Sequence, residues 1–79
     1  MVTQPAIQAS DVLAIMDMES VVLLAPLTES ARGWLQRSVT PDAQWWGGAL
    51  VCERRYVAPL VEGMERACRS GAIALDTVA

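Results

Sequence analysis

Short apolar runs alternate with amphipathic stretches along this chain, and the runs predict its strands. Residues 21–24 are β-branched at the start, apolar throughout and closely followed by Pro26, which is the pattern of a strand. An uninterrupted apolar run is typical of a strand that is covered on both faces. Residues 49–52 and 72–75 form two further apolar runs and predict the second and third strands.

The amphipathic stretch after the first run predicts a helix that ends near Ser38. Thr28 is a favourable N-cap, and Glu29 stands in the first turn, where the helix dipole favours an anion. Pro41 ends the helix, because the residues just before a proline avoid helical backbone. The apolar positions recur at helical spacing and include Trp34, which we therefore expect in the core.

A second, longer helix is predicted over residues 56–69. Pro59 is tolerated only in the first turn of a helix, so its position places the start near Tyr56. Gly71 is a natural terminator, and Arg69 stands near the negative end of the helix dipole. The apolar stripe of this helix consists of Val57, Leu60, Val61, Met64 and Cys68.

The N-terminal pattern leaves two structures open. Residues 1–9 have no periodicity and predict a flexible leader. Ser10 and Asp11 are suited to capping a short helix over residues 11–16, in which the apolar side chains have helical spacing. The same residues also suit a strand that turns at residues 17–20, and a short apolar run does not separate the two structures. The cap favours the helix.

Together these elements predict an α+β fold, with residues 10–79 forming a single small domain. The order is strand-helix-strand-helix-strand, and the N-terminal segment adds a short helix or strand. Alternation of strands and helices favours right-handed crossovers and a small three-stranded sheet packed by the two main helices. A chain of 79 residues allows one domain and has no room for a second.

The most informative local feature is the run Trp45, Trp46, Gly47 and Gly48. The chain has no Phe and one Tyr, so adjacent tryptophans hold much of its aromatic area. Neighbouring side chains point in different directions in a strand or a helix, so we expect one ring to be buried and the other to lean on a partner. We predict a loop over residues 40–48. Its two glycines suit a turn with positive φ or a bare backbone that a partner approaches, and the turn is favoured.

Composition predicts self-association. Hydrophobic residues make up 53% of the chain and the mean hydropathy is +0.31. A small domain cannot bury all of this apolar surface, and a contiguous exposed patch would mark an interface. We therefore expect a homodimer or another protein partner. Lys, Asn and Phe, whose codons are AT-rich, are absent, which indicates a GC-rich and bacterial source gene.

Missing residue types exclude most catalytic and ligand chemistry. Without histidine the chain lacks Ser–His and Cys–His nucleophiles and the commonest metal ligand. Cys52 and Cys68 are predicted too far apart for a disulfide or a shared zinc ion, so we expect two reduced, buried thiols. No apolar run is long enough to cross a membrane, and no secretory signal is indicated. We therefore predict a cytoplasmic protein that is not an enzyme and that holds no cofactor or metal.

A short charged cluster, Glu53, Arg54, Arg55 and Tyr56, follows the second predicted strand. Arginines beside an aromatic ring suit phosphate contact with base stacking, surface ion pairing, or a protein interface hot spot. The net charge of −3 and the presence of Glu53 weigh against nucleic acid. Only the interface interpretation also accounts for the tryptophans and the apolar excess.

The leading hypothesis is a small, non-enzymatic protein–protein interaction module that forms a homodimer. Its candidate interface residues are Trp45, Trp46, Gly47, Gly48, Arg54, Arg55 and Tyr56. Two alternatives stay open: a small nucleic-acid-associated regulator, and an accessory protein of a phage or mobile element that occludes a host protein. The sequence favours an enzyme least.

Overall fold

The computed structural model describes residues 7–75, which form three helices and four strands. The elements are α1 (Ala9–Val12), β1 (Leu13–Met18), β2 (Val21–Pro26), α2 (Glu29–Ser38), β3 (Trp45–Trp46), β4 (Ala49–Cys52) and α3 (Arg54–Ser70). The predicted α+β class is confirmed, whereas the predicted three-stranded sheet is wrong, because the sheet has four strands. Residues 1–6 of the predicted leader lie outside the described residues, and Ala9, which was assigned to the leader, begins α1.

The favoured helix over residues 11–16 is wrong: α1 is capped at Gln8, so Ser10 and Asp11 lie inside it, and residues 13–16 belong to a strand, as the alternative predicted. Helix α1 stops at Val12 because Leu13 adopts extended backbone, and β1 then continues to Met18. The turn into β2 passes through Glu19, whose φ of 38° lies in the left-handed region. At the other end of this hairpin, the N–H of Leu27 donates to the carbonyl of Val12 at 2.8 Å. The β1–β2 hairpin is therefore held at both ends.

All neighbouring strands run antiparallel, in the order β1-β2-β4-β3. Two tight hairpins, β1–β2 and β3–β4, thus lie side by side and meet through their second strands. We call the β2–β4 ladder the seam. It pairs Val22 with Cys52, Leu23 with Val51 and Leu24 with Leu50. The expected crossovers are met only in part. The β1–β2 and β3–β4 connections are hairpins, whereas β2 and β3, which both run antiparallel to β4, are parallel to each other and are connected through α2.

Helix α2 begins and ends as predicted. The hydroxyl of Thr28 accepts a hydrogen bond from the N–H of Ala31 at 3.2 Å and so caps the first turn, and Ser38 is the last residue. Trp34 is half-buried and packs against the core. A Cβ added at Gly63 of α3 would come within 3.1 Å of the Trp34 ring. The glycine therefore lets this ring lie directly on the backbone of α3.

Helix α3 begins at Arg54, two residues before the predicted start at Tyr56. Pro59 therefore lies beyond the first turn, where it removes one hydrogen bond of the helix ladder. The end of the helix is as predicted: Gly71 has a φ of 87°, and its N–H donates to the carbonyl of Cys68. This left-handed residue satisfies carbonyls that the last turn would leave without a partner.

The segment after α3 is not the third strand that the sequence predicted. Residues 71–75 turn back onto the start of α2, where the N–H of Ala74 donates to the Ser30 hydroxyl at 3.0 Å. The same hydroxyl donates to the carbonyl of Ala74 at 3.1 Å. Ile73 is fully buried, whereas Leu75 is 62% exposed. The apolar run thus contributes one side chain to the core and does not extend the sheet.

The hydrophobic core lies on one face of the sheet. Strand side chains of that face meet buried residues of the three helices and the segment after α3. The core consists of Ala9, Val12, Leu13, Val22, Leu24, Ala31, Leu35, Leu50, Cys52, Met64, Ala67, Cys68 and Ile73. Both cysteines are free and buried, as predicted.

Candidate interaction surface

The tandem tryptophans form strand β3, inside the segment that the sequence predicted as a loop. Gly47 and Gly48 connect β3 to β4, with φ values of 57° and 81°. Positive φ at both central residues is what a type I′ turn requires, and the twist of this turn matches that of the strands it joins. The turn explanation of the glycine pair is therefore confirmed, and the loop prediction is wrong because a two-residue turn lets Trp45 and Trp46 pair with β4.

The two tryptophan side chains lie on opposite faces of the sheet. Trp45 is paired with Leu50, a core residue, and so lies on the helix side. Trp46 is paired with Ala49 and lies on the other face. Trp45 is 36% exposed and Trp46 is 66% exposed. The expectation that one ring is buried is therefore wrong: both rings keep contact with solvent, and Trp46 is the more accessible.

The sheet face that points away from the core carries only apolar side chains. We call it the open face. Side-chain alternation along the paired strands places on it Ala14, Met16, Met18, Val21, Leu23, Ala25, Trp46, Ala49 and Val51. Leu23 and Ala49, on the two central strands, are buried. On the outer strands, Met16 is 42% exposed and Met18 48%. The open face therefore has a covered centre and an accessible apolar rim.

Asp17 is the one charged residue within the four described strands, and it lies on the helix side, paired with Val22. The Arg54 guanidinium donates to both carboxylate oxygens of Asp17 and to the carbonyl of Glu19, the latter at 2.8 Å. The hydrogen bonds from Arg54 hold the pKa of the Asp17 carboxyl below its usual value. Both side chains of this ion pair are exposed, so it adds little to stability.

The neighbouring residues Arg55 and Tyr56 form a second surface pair. The Nε of Arg55 lies 3.2 Å from the carboxylate of Glu53, and its guanidinium lies 4.8 Å from the centre of the Tyr56 ring. Tyr56 borders a groove of about 410 Å³, whose apolar lining includes Val39, Ala43, Leu50 and Leu60. Arg54 and Arg55 each have a carboxylate partner, so this cluster presents little net positive charge.

The seven predicted interface residues fall into two separate groups. Residues 45–48 precede β4, and residues 54–56 follow it. The four residues of β4 put roughly 14 Å between Gly48 and the start of α3, and Trp45 and Trp46 lie on opposite faces of the sheet. The structure therefore does not bring all seven into one surface. Trp46 is the member of the set whose side chain lies on the open face.

Other chemistry is sparse in residues 7–75. No group of three His, Cys, Asp or Glu side chains in this range is placed to hold a metal ion. Burial raises the pKa of the Cys52 and Cys68 thiols, so both stay protonated near neutral pH and react slowly. In the same part of the chain, no helix has the length and apolar character needed to span a membrane.

Comparison with known proteins does not assign a function, so the assignment rests on the geometry of the structure. No family model, curated protein or solved structure matches this chain.

Sequence reasoning missed the part of the open face that β1 supplies. Met16 and Met18 alternate with Ile15 and Asp17, which is a strand period, but the helix cap at the start of the segment favoured a helix. The sequences of β2 and β4 did contain a pattern that indicates a second apolar face. Residues 21–24 and 49–52 are apolar at every position, which predicts cover on both faces, and in the structure the helices cover one face.

Proposed function

We propose that this chain is a non-enzymatic protein–protein interaction module that self-associates through the open face of its sheet. The observation that carries this proposal is the composition of that face: all nine side chains that point away from the core are apolar. An antiparallel sheet with one face in water normally alternates apolar and polar residues. An apolar sheet face is normally buried against another layer of structure.

A second copy of the chain suits this face. A two-fold axis brings the same patch of both copies together, so a face without charged groups is matched by another face without charged groups. Two sheets pack at about 10 Å with their strands within about 30° of each other. In such a pair the exposed side chains of the two edge strands, Met16, Met18 and Trp46, pack against the facing sheet and lose contact with solvent. Arg54 and Arg55 stay outside it, each with the carboxylate partner that it already has.

The size of the face predicts a weak dimer. The strands have six, six, four and two residues, which gives a face of roughly 300 Å² at about 3.4 Å per residue and about 4.8 Å between strands. Two such faces with their side chains fall below the roughly 1,200 Å² that separates weak complexes from standard ones. We therefore expect a dissociation constant in the micromolar range or above.

Sedimentation velocity of the full chain across the micromolar range tests the proposal. We expect a monomer–dimer equilibrium, with a blue shift of tryptophan emission as Trp46 becomes covered. Met16→Glu places a charge on the open face and is expected to abolish the dimer. Ile15→Glu is the matched control, because Ile15 is the next residue of the same strand, is similarly exposed and lies on the helix side.

Two results would contradict self-association through this face. One is a chain that stays monomeric at high micromolar concentration. The other is an equal loss of dimer in both glutamate variants, which would move the contact away from the open face. Circular dichroism of both variants checks that each remains folded.

A further inference from the structure

The three methionines within residues 7–75 differ sharply in solvent exposure. Met16 and Met18 lie two residues apart on β1, both on the open face and both accessible. Met64 is fully buried in the core. An oxidant in solution therefore reaches the two thioethers of β1 and not the thioether of α3.

Oxidation would change the chemistry of the open face. A peroxide transfers one oxygen atom to the thioether sulfur, which loses two electrons and becomes a sulfoxide, while the peroxide is reduced to water or an alcohol. The sulfoxide oxygen is a polar hydrogen-bond acceptor. The one side-chain hydrogen-bond donor of the open face is the indole N–H of Trp46. Two sulfoxide oxygens per chain outnumber this donor, so burying them in a face-to-face pair leaves at least one oxygen without a side-chain partner, which is unfavourable.

We propose that Met16 and Met18 form an oxidation site through which a peroxide releases the self-associated form of this chain. The inference rests on the proposed self-association. Because the pair covers both methionines, the peroxide reacts with the free protomer, and the oxidised protomer can no longer return to the pair. Oxidation therefore shifts the monomer–dimer equilibrium toward the monomer, because it removes protomers that could re-associate.

The cysteines do not compete for the oxidant at the surface. Cys52 and Cys68 are both buried. Burial also raises the pKa of each thiol, and the thiolate is the form that reacts with peroxide. The accessible reactive sulfur atoms of the described residues are therefore the two thioethers of β1.

The test treats the full chain with hydrogen peroxide at one protein concentration below the dissociation constant and one well above it. Peptide mass mapping should show oxygen added at Met16 and Met18, more slowly at the higher concentration, with Met64 unmodified. Sedimentation of the oxidised protein should show a dissociation constant raised by about 100-fold, as expected for burying unpaired polar groups. Methionine sulfoxide reductases should restore the original value.

Leucine variants supply the controls. The double variant Met16→Leu with Met18→Leu keeps the apolar face at nearly constant volume, so it should still form the dimer and should not respond to peroxide. Met64→Leu changes a methionine outside the face and should leave the response intact.

The possible failures can be told apart. A dimer whose dissociation constant stays the same after both methionines are oxidised overturns the oxidation site and leaves the proposed function standing. Dissociation by peroxide in the double leucine variant also overturns the oxidation site, because the peroxide then acts on another residue. Recovery of the dimer with a thiol reductant alone overturns it too, because the oxidised residue is then a cysteine. A chain that is monomeric before peroxide is added overturns the proposed function itself.

Discussion

Replacing Ile73 with alanine tests how the chain closes its core after α3. Ile73 is fully buried among residues of the sheet and helices, and Leu75 lies two residues further on with 62% of its surface exposed. Truncating a buried isoleucine to alanine costs about 2–5 kcal/mol. The whole chain of 79 residues is expected to be stable by roughly 4–12 kcal/mol. Ile73→Ala therefore removes a large share of the total stability, whereas Leu75→Ala should change it by less than about 0.5 kcal/mol.

Urea denaturation followed by tryptophan fluorescence measures both effects. With a slope of about 1 kcal/mol per molar urea, Ile73→Ala should lower the midpoint by at least about 2 M. If that variant does not fold at all, Ile73→Val still gives a measurable loss of about 0.5–1.5 kcal/mol.

The comparison of the two positions decides between two structures for residues 72–75. In a strand, residues 73 and 75 would point to the same face, and their truncations would have similar effects. In the structure they do not share an environment. Equal losses of stability at Ile73 and Leu75 would refute the docking of this segment onto the core, and so would an Ile73→Ala variant as stable as the original.

Three further predictions concern the turn, the cap and the ion pair. Gly48→Ala should lower the free energy of unfolding by about 1–2 kcal/mol, because the backbone φ is positive at this position. Gly47→Asn creates the Asn-Gly sequence that type I′ turns favour, so it should not lower the free energy of unfolding in the same urea titration. Thr28→Ala removes the N-cap of α2 and should cost about 1 kcal/mol in thermal melts, with Thr28→Ser close to the original. Arg54 lowers the pKa of the Asp17 carboxyl. The unsubstituted chain should therefore have a higher free energy of unfolding than Asp17→Asn above about pH 4, and this difference should shrink as the pH falls further. A difference that stays constant with pH would contradict this.

Strong local patterns predicted the central elements of this fold. The apolar runs of β2 and β4 and the cap of α2 are set by residues close together in sequence, and the structure has these elements, although β2 continues two residues past the predicted end, through Pro26. Strand β3 has two residues, too few to show a period, and it exists because a two-residue turn folds it onto β4. Residues 72–75 are as apolar as a strand, yet the left-handed backbone at Gly71 directs them to the core.

The candidate surface was less accessible to sequence reasoning than the fold. Divergence of the two tryptophan rings follows from the doublet, but the sequence did not indicate that Trp46 is the more exposed of the two. The open face depends on the register of four strands, which places Met16 opposite Leu23 and Leu23 opposite Val51. Register is a property of pairing between distant segments, so a single sequence did not show which apolar side chains share a face.

The seam between the two hairpins divides the chain into two similar halves, each a hairpin followed by a helix. Contacts inside each half are local in sequence, while the seam joins residues roughly 30 positions apart, so we expect the seam to form after the hairpins. The two halves are linked by residues 39–44. If that linker were shortened, the second hairpin of one molecule would pair more easily with the first hairpin of another, and the same strand order would be rebuilt in an intertwined, domain-swapped pair. The length of this linker therefore determines whether each molecule closes on itself.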